Sequence, residues 1–487
     1  METIHLKTVD PASQDLLRIA SRMGINLNWE RYEKQQPQDG FLRLGLSCPY
    51  GCMQGPCRID PYGRGADHGI CGLDRDGMAA AFLLRLVLQG IMETMGSNHR
   101  AKSLGDEIVW QTPLDKKASA ALDKLGGDPL SIWEIFESAV LLTRPSATPE
   151  ALIRQAVRLG ILSIGLKEQR QKQYQPSGSM GCRAGYGLLA GNAILIGLSG
   201  QIPPALVQAL MKKSSGLKNP EVRLISLGDW IPAGGDFIPI VCTSGEAETV
   251  LASGKLNLLL AGPQSDPGLT ALCGTMQMPL VLSNDNPGAA AILDQARAAF
   301  NRRIPVSFTP DAALISTGSV SLGSAEAQSA LQIGPSAKIA LLGGADTLLQ
   351  SFGHLPVELA KALRGEGHAV SSWGDAALWM VKQELPVGIL DANEGPLTAI
   401  RALAAKRKLS ALKGICFTGL KGCREFTFAL GLAAIGMKVL VAVPLPFWGS
   451  KKVRATLRED RAVAGGILSH FDHPAKADEI LDWFLRS

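Results

Sequence analysis

Four of the nine Cys residues lie within one short segment near the start of the chain, CPYGCMQGPCRIDPYGRGADHGICG. Three, four and thirteen residues separate Cys48, Cys52, Cys57 and Cys71. Glycines beside these Cys permit close backbone approach, so that four thiolates can reach one small metal core at low strain. Zinc also takes four Cys ligands, but its sites typically use paired C-x2-C knuckles. The spacing therefore favours a [4Fe-4S] cluster over zinc and over four structural thiols.

The rest of the composition excludes several classes of protein. The formal net charge is only +5 over 487 residues, and the short basic runs are typical of solvated helix faces, so we predict no nucleic-acid partner. The first residues lack a secretory signal. Apolar stretches reach about a dozen residues, fewer than the roughly 20 needed to span a bilayer. We predict a cytoplasmic protein with no membrane span.

The pattern of apolar residues changes near residue 190. Residues 1–190 predict a helical domain that carries the Cys loop. Beyond it, short apolar runs alternate with helical stretches, which indicates parallel α/β sheets. A segment rich in Ser, Gly and Ala at 310–337 predicts a boundary, giving domains at 191–330 and 331–487. The predicted fold class is therefore α + α/β, with a helical iron–sulfur domain followed by two Rossmann-like parallel α/β domains.

Two motifs in the Cys loop resemble a known family. GPCRI at Gly55–Ile59 and GICG at Gly69–Gly72, followed by an Asp-bearing helix, are similar to the nickel-dependent carbon monoxide dehydrogenase and hybrid cluster protein superfamily. The resemblance implies that the four Cys hold an electron-relay [4Fe-4S] cluster. One departure is that the spacer Pro49–Gly51 is one residue longer than the family pattern.

Fainter similarity extends toward the C-terminus. VCTSGEAE at Val241–Glu248 is similar to a family segment whose Cys, here Cys242, is a ligand of the catalytic nickel–iron–sulfur cluster. LPFWGSKK at Leu445–Lys452 is similar to a segment whose Lys, here Lys452, acts as an acid beside that cluster. The resemblance also gives His99 a catalytic role in moving protons.

Other expected ligands of the nickel cluster are missing. IGLSGQIPP contains no His, while Ser265 and Gly344 stand where the resemblance implies Cys. No Cys precedes Cys48, so the intersubunit cluster of the family lacks its ligands. We therefore predict neither a standard nickel site nor a bridging cluster.

Three of the remaining Cys lie at or near predicted strand ends. Cys242 and Cys416 end or nearly end a strand, and Cys423 follows soon after Cys416. Because ligands bind at the carboxyl ends of parallel strands, these Cys are candidates for a second iron–sulfur cluster. The alternative is that each is a small buried hydrophobic residue.

Two functions follow from these observations. The first is an anaerobic oxidoreductase that passes electrons between the N-terminal cluster and a site between the α/β domains, where Cys242 and Lys452 share a cavity. The second is a non-catalytic electron-transfer or scaffold subunit of a larger redox complex. Either function implies a redox partner such as a ferredoxin or another iron–sulfur subunit, in a homodimer or a complex.

Overall fold

The computed structural model describes most of the chain. The described residues are 6–34, 48–50, 52, 54, 57, 59, 65–96, 114–126, 130–173, 178–217, 220–304, 306, 308–331, 337–391, 395–459, 467–469 and 475–486.

Helices dominate the first part of the chain, as the sequence predicts. They are α1 (Pro11–Arg22), α2 (Asn28–Lys34), α3 (Arg75–Gly96), α4 (Asp115–Leu125), α5 (Trp133–Leu141) and α6 (Pro149–Gln173). Asp10 caps the start of α1, because its side chain accepts the backbone N–H groups of Ala12 and Ser13. The long helices α3 and α6 are rich in apolar residues and form the centre of the helical layer.

Strands and helices alternate through the rest of the chain. The strands are β1 (Ser179–Ala184), β2 (Ile194–Ser199), β3 (Val222–Leu227), β4 (Pro232–Ala233), β5 (Asp236–Phe237), β6 (Ile240–Cys242), β7 (Leu258–Ala261), β8 (Leu280–Leu282), β9 (Ser316–Ser321), β10 (Lys338–Gly344), β11 (His368–Ser372), β12 (Gly388–Leu390), β13 (Leu412–Gly419), β14 (Val439–Val441) and β15 (Ile467–Ser469). The helices are α7 (Pro204–Ser214), α8 (Ala247–Ala252), α9 (Pro267–Thr275), α10 (Ala289–Phe300), α11 (Ser324–Ala330), α12 (His354–Gly365), α13 (Gly374–Lys382), α14 (Pro396–Ala405), α15 (Cys423–Ala434), α16 (Lys451–Glu459) and α17 (Ala477–Leu485).

One large, mostly parallel sheet joins these strands, in the order β15-β14-β13-β10-β11-β12-β9-β1-β6-β3-β2-β7-β8. The sheet has two halves, β6-β3-β2-β7-β8 and β12-β11-β10-β13-β14-β15. When the strands of each half are numbered from 1 in chain order, both halves begin with the spatial order 3-2-1-4-5, which is the order of doubly wound nucleotide-binding sheets. We call these two halves the first and the second α/β unit. An antiparallel pairing of β1 with β9 joins them.

The predicted strands of both α/β units are present, although several end at different residues. Strands β1, β4, β5, β9, β11 and β15 were not predicted. Strand β1 precedes residue 190, and β9 lies in the Ser, Gly and Ala-rich segment 310–337. Small, half-exposed residues give β9 a weak apolar signal, and its pairing with β1 supplies the stability that its side chains do not. The domain limits at 190 and 330 stay predictions, because one sheet runs through both.

The helical layer packs on the second α/β unit. At this interface, helices α3 and α6 of the helical layer contact α15 of the second α/β unit. Helices α6 and α15 approach most closely at Gly160 and Gly431. A buried ion pair between Glu168 on α6 and Arg401 on α14 crosses the same interface. Among the described residues, Arg75–Met95 is long and apolar enough to cross a membrane, but most of its apolar window is buried inside the protein. A membrane span is therefore not indicated.

Candidate metal centre

The Cys loop lies against the start of α3, and its backbone brings the first three Cys together. The N–H of Cys48 donates a hydrogen bond to the carbonyl of Cys57 at 3.0 Å, which closes the loop on itself. Cys48 and Cys57 are half-buried and pack on the main core, whereas Cys52 is exposed. The Arg85 guanidinium on α3 donates to the carbonyl oxygen of Pro49 at 3.1 Å and holds the loop on the helix.

A tight turn brings the fourth Cys to the same place. The N–H of Gly69 donates to Leu73 at 2.8 Å, and the N–H of Ile70 lies 3.4 Å from the Sγ of Cys57. A Cβ at Gly69 would lie 3.6 Å from that sulfur and 3.0 Å from Met78 Cε, so glycine gives the turn its close approach. Cys71 sits at this turn and is exposed. The turn that carries Cys71 therefore lies against Cys57.

The electrostatics of the loop suit a cationic metal group. Burial raises the pKa of the Cys48 thiol, and the nearby Cys57, Cys52 and Cys71 raise it further. Burial and the thiolates of Cys48 and Cys71 raise the pKa of Tyr50 to about 12. Four thiolates so close together repel one another until a metal neutralises them, and sulfur ligands select iron–sulfur clusters or zinc.

No group of three or more His, Cys, Asp or Glu side chains in the described part of the chain is arranged to hold a single metal ion. Zinc binding needs four sulfurs about 2.3 Å from one point. A cubane cluster does not require the four sulfurs to converge on one point, because each of its four thiolates binds a different iron. The four loop Cys have the ligand number and type of a [4Fe-4S] cluster, and the backbone N–H of Ile70 is directed at the Cys57 sulfur.

The three other candidate ligands are not brought together. Cys242 is fully buried at the end of β6, in the core of the first α/β unit. Cys416 is fully buried on the face of β13 opposite to that of Ile415 and Phe417, because successive strand residues alternate between faces. Cys423 begins α15, and its Sγ lies 3.6 Å from Gln89 on α3. The arrangement predicted for a second cluster is therefore absent from these three residues.

The predicted cavity shared by Cys242 and Lys452 is wrong. The Lys452 ammonium pairs with Glu150 on α6, and 42% of the Lys452 side chain is exposed. Its hydrogen bond to Glu150 raises the pKa of Lys452, the opposite of what an acid catalyst needs. Lys452 therefore lies at a helix start as an exposed, paired lysine. The predicted proton-transfer residue His99 lies outside the described residues.

Two other positions in the same region cannot supply the missing ligands. Gly344, at the end of β10, has φ +110°, and a Cβ there would lie 2.2 Å from the carbonyl oxygen of Gly419. The hydroxyl of Ser265 donates to the carbonyl of Ser199 at 2.7 Å and is thereby occupied. Neither of these two positions therefore carries a thiolate.

The carboxyl ends of the strands of both α/β units do meet, as parallel sheets predict. Ser244, after β6, donates its backbone N–H to Asp375 at 3.1 Å, and Thr243 donates its hydroxyl to Asp346 after β10. A cavity beside Asp346 and Thr418 has a volume of about 10 Å³, room for about one water molecule. Hydrogen bonds connect side chains of the two units across this crevice.

One residue in this crevice escaped the sequence analysis. Lys382 is 3% exposed, and its ammonium lies 2.6 Å from Asp10 and 2.8 Å from Glu246. Burial lowers the pKa of Lys382, and Glu246 and Asp10 outweigh that effect and raise it, so the ammonium keeps its proton. The sequence did contain a signal for a buried ion pair, because Lys382 ends the apolar helical run AALWMVK and lysine is almost never fully buried unless paired.

Known proteins resemble this chain in two ways. Over 89 residues it is 49% identical to carbon monoxide dehydrogenase 1 of Methanosarcina mazei, a match that covers 18% of this chain and 14% of that protein. Over 81 residues it is 47% identical to the carbon monoxide dehydrogenase of Rhodospirillum rubrum, covering 17% of this chain and 12% of that protein. These matches span less than one sixth of the curated relatives. No family model matches the chain.

Solved structures resemble the whole chain. Carbon monoxide dehydrogenase IV from Carboxydothermus hydrogenoformans superposes with a TM-score of 0.83 at 19% identity, over 99% of both chains. A nickel-free carbon monoxide dehydrogenase from Thermococcus sp. AM4 gives 0.82 at 17% identity, over 99% of this chain and 97% of that chain. The chain therefore shares its fold with these carbon monoxide dehydrogenases, and one short stretch of its sequence is similar to the curated enzymes.

Proposed function

We propose that this protein is an iron–sulfur electron-transfer protein that uses the scaffold of carbon monoxide dehydrogenase without its nickel chemistry. The proposal is supported by the Cys loop, which carries Cys48, Cys52, Cys57 and Cys71 and directs the backbone N–H of Ile70 at the Cys57 sulfur. A [4Fe-4S] cluster on these four thiolates supplies one-electron transfer. Arg85 holds the loop on α3 and places a positive charge beside it.

The geometry favours the relay function over the enzymatic one. The enzymatic hypothesis depended on Lys452 facing Cys242, and the Lys452 ammonium instead forms an exposed pair with Glu150. The position of Gly344 has no room for a Cys side chain, and the cavity beside Asp346 and Thr418 holds about one water molecule. Both observations support a non-catalytic electron-transfer or scaffold subunit.

The exposed side of the Cys loop is the face where electrons would be exchanged. Cys52 and Cys71 are exposed, and the side chain of Ile70 is 73% exposed beside them. Ile70 also donates its backbone N–H toward Cys57, so one residue joins the protein surface to the metal centre. A ferredoxin or another iron–sulfur subunit that contacts Ile70 would come within a short electron-transfer distance of the cluster.

The test is metal analysis and electron paramagnetic resonance of the anaerobically purified, dithionite-reduced protein. We expect about four irons per chain and a reduced-cluster signal that Cys57→Ser abolishes. Cys423→Ser is the matched control, because Cys423 is also half-buried but lies on α15 outside the Cys loop. A signal that survives Cys57→Ser, or zinc in place of iron, would show the proposal to be wrong.

A further inference from the structure

Tyr50 lies in the spacer at which this chain departs from the family pattern. Three residues, Pro49–Gly51, separate Cys48 from Cys52, one more than the resemblance implies. Cys52 is exposed, whereas the Tyr50 side chain is buried. The longer spacer therefore places an aromatic side chain on the inner side of the Cys loop.

The position of the Tyr50 ring is fixed by its surroundings. The side chain is 7% exposed and belongs to the same hydrophobic core as Leu73 and Met78, which follow the fourth Cys in the chain. The carbonyl of Pro49, immediately before it, accepts a hydrogen bond from the Arg85 guanidinium on α3 at 3.1 Å. The spacer is thus anchored next to the tyrosine, and its ring is held inside the protein.

Both the backbone and the side chain of Tyr50 lie close to predicted sulfur ligands. The backbone N–H of Tyr50 forms a hydrogen bond with the Cys48 thiol. The phenol lies within electrostatic range of the thiols of Cys48 and Cys71, the first and the last of the four predicted ligands. Tyr50 therefore adjoins the candidate metal centre on its buried side.

The Tyr50 hydroxyl is buried and has no hydrogen-bond partner among the residues that the structure describes. A buried polar group left unpaired destabilises the fold, and native proteins rarely contain one. A phenol has an ordinary pKa of about 10, so at neutral pH it carries its proton and can donate a hydrogen bond. The hydroxyl thus needs an acceptor beside Cys48 and Cys71, and the sulfurs of an iron–sulfur cluster accept such bonds.

We propose that the Tyr50 hydroxyl donates a hydrogen bond to a sulfur of the [4Fe-4S] cluster and thereby raises the reduction potential of that cluster. This inference rests on the proposed function, because it needs the cluster in the Cys loop. Reduction adds one electron to the cluster and leaves the phenol proton in place. The added negative charge strengthens the O–H to sulfur hydrogen bond, so the bond stabilises the reduced state more than the oxidised state.

The experiment is a redox titration of the anaerobically purified full-length protein, followed by the electron paramagnetic resonance signal of the reduced cluster. Tyr50→Phe removes the hydroxyl and keeps the ring. Tyr186→Phe is the matched control, because Tyr186 is 1% exposed but belongs to the core of the first α/β unit. Iron content is measured for each protein, so that cluster occupancy and reduction potential are determined separately.

Electron–nuclear double resonance in H2O and in D2O gives a second readout, since it detects exchangeable protons that couple to the reduced cluster. We expect one such proton, that of the phenol, to disappear in Tyr50→Phe. The proton of the Ile70 N–H, which is directed at the Cys57 sulfur, should remain.

We expect Tyr50→Phe to hold as much iron as the parent protein and to be harder to reduce. The equilibrium constant for reduction should fall about tenfold, the effect of losing one hydrogen bond to a charged group, which shifts the potential by about 59 mV to more negative values. Tyr186→Phe should match the parent protein in potential and in its exchangeable protons.

Two outcomes would overturn this inference and leave the proposed function in place. The first is a Tyr50→Phe cluster with the potential of the parent protein. The second is loss of the cluster from Tyr50→Phe but not from Tyr186→Phe, which would show that the tyrosine holds the loop together rather than setting the potential. Zinc, or no metal, in the parent protein would instead contradict the proposed function and this inference with it.

Discussion

Replacing Gly344 by Ala is the sharpest test of whether the crevice can accept a metal ligand where the superfamily resemblance implies one. Gly344 ends β10 and pairs in register with Gly419 of β13. Its φ of +110° lies in the region that glycine tolerates, and an added Cβ would lie 2.2 Å from the Gly419 carbonyl oxygen. That oxygen accepts the N–H of Ala345 at 3.2 Å, so it cannot move away without losing a hydrogen bond.

Two costs set the size of the effect. Holding a side chain at this positive φ costs about 1–3 kcal/mol, and overpacking against fixed backbone costs about 1–3 kcal/mol more. We therefore expect Gly344→Ala to lower the free energy of unfolding by about 3–5 kcal/mol. Gly344→Cys should lose at least as much, and should not gain a metal ion.

Urea unfolding followed by circular dichroism measures this loss as a shift of the midpoint. Gly365→Ala is the control, because a Cβ at Gly365 meets nothing within 4 Å and its φ is not positive. We expect the control to be neutral or stabilised by up to about 1 kcal/mol. A Gly344→Ala protein within about 1 kcal/mol of the parent would refute the steric reasoning, and with it one argument against the nickel site.

Two further predictions concern buried charges. Replacing Arg401 by Met removes the cation that pairs with the nearly inaccessible Glu168 carboxylate, so the free energy of unfolding should fall by about 3–5 kcal/mol. An effect below about 1 kcal/mol would contradict the role of this pair. Burial raises the pKa of Asp229 to about 6, so its folded state prefers the proton and stability falls as pH rises from about 4 to 6. Asp229→Asn should therefore raise Tm more at pH 7 than at pH 4, and an equal gain at both would show that Asp229 does not titrate in this range.

The local sequence determined the Cys loop and most of the secondary structure. Closely spaced Cys and Gly act through short-range geometry, which is why the sequence predicts Cys48, Cys52, Cys57 and Cys71 as one set of ligands. Most strands of both α/β units, though not β11 and β15, were identifiable for a related reason. Strands buried on both faces, such as β2 and β10, are continuous apolar runs in the sequence.

Motif similarity was less informative for Lys452, because a motif does not fix the neighbours of its side chain. The local sequence LPFWGSKK places Lys452 at the start of α16. Only the packing of α6 beside that helix brings Glu150 to the ammonium and turns it toward solvent. Cys416 and Cys423 also lie in different surroundings that the local sequence does not determine. Strand alternation puts Cys416 in the core on one face of β13, and the contact of α15 with α3 puts Cys423 beside Gln89.

Tertiary structure alone determined which residues meet in the crevice between the α/β units. Asp10, Glu246 and Lys382 are far apart in the sequence but form ion pairs in the structure. From the sequence alone, Asp10 would be interpreted as a helix cap, Glu246 as a loop acid and Lys382 as a surface lysine. Pairing of β1 with β9 joins the two units, and the N-terminal segment then brings Asp10 to the Lys382 ammonium. Local patterns report which residues become helix, strand or loop, whereas a buried charge finds its partner only when distant segments have packed together.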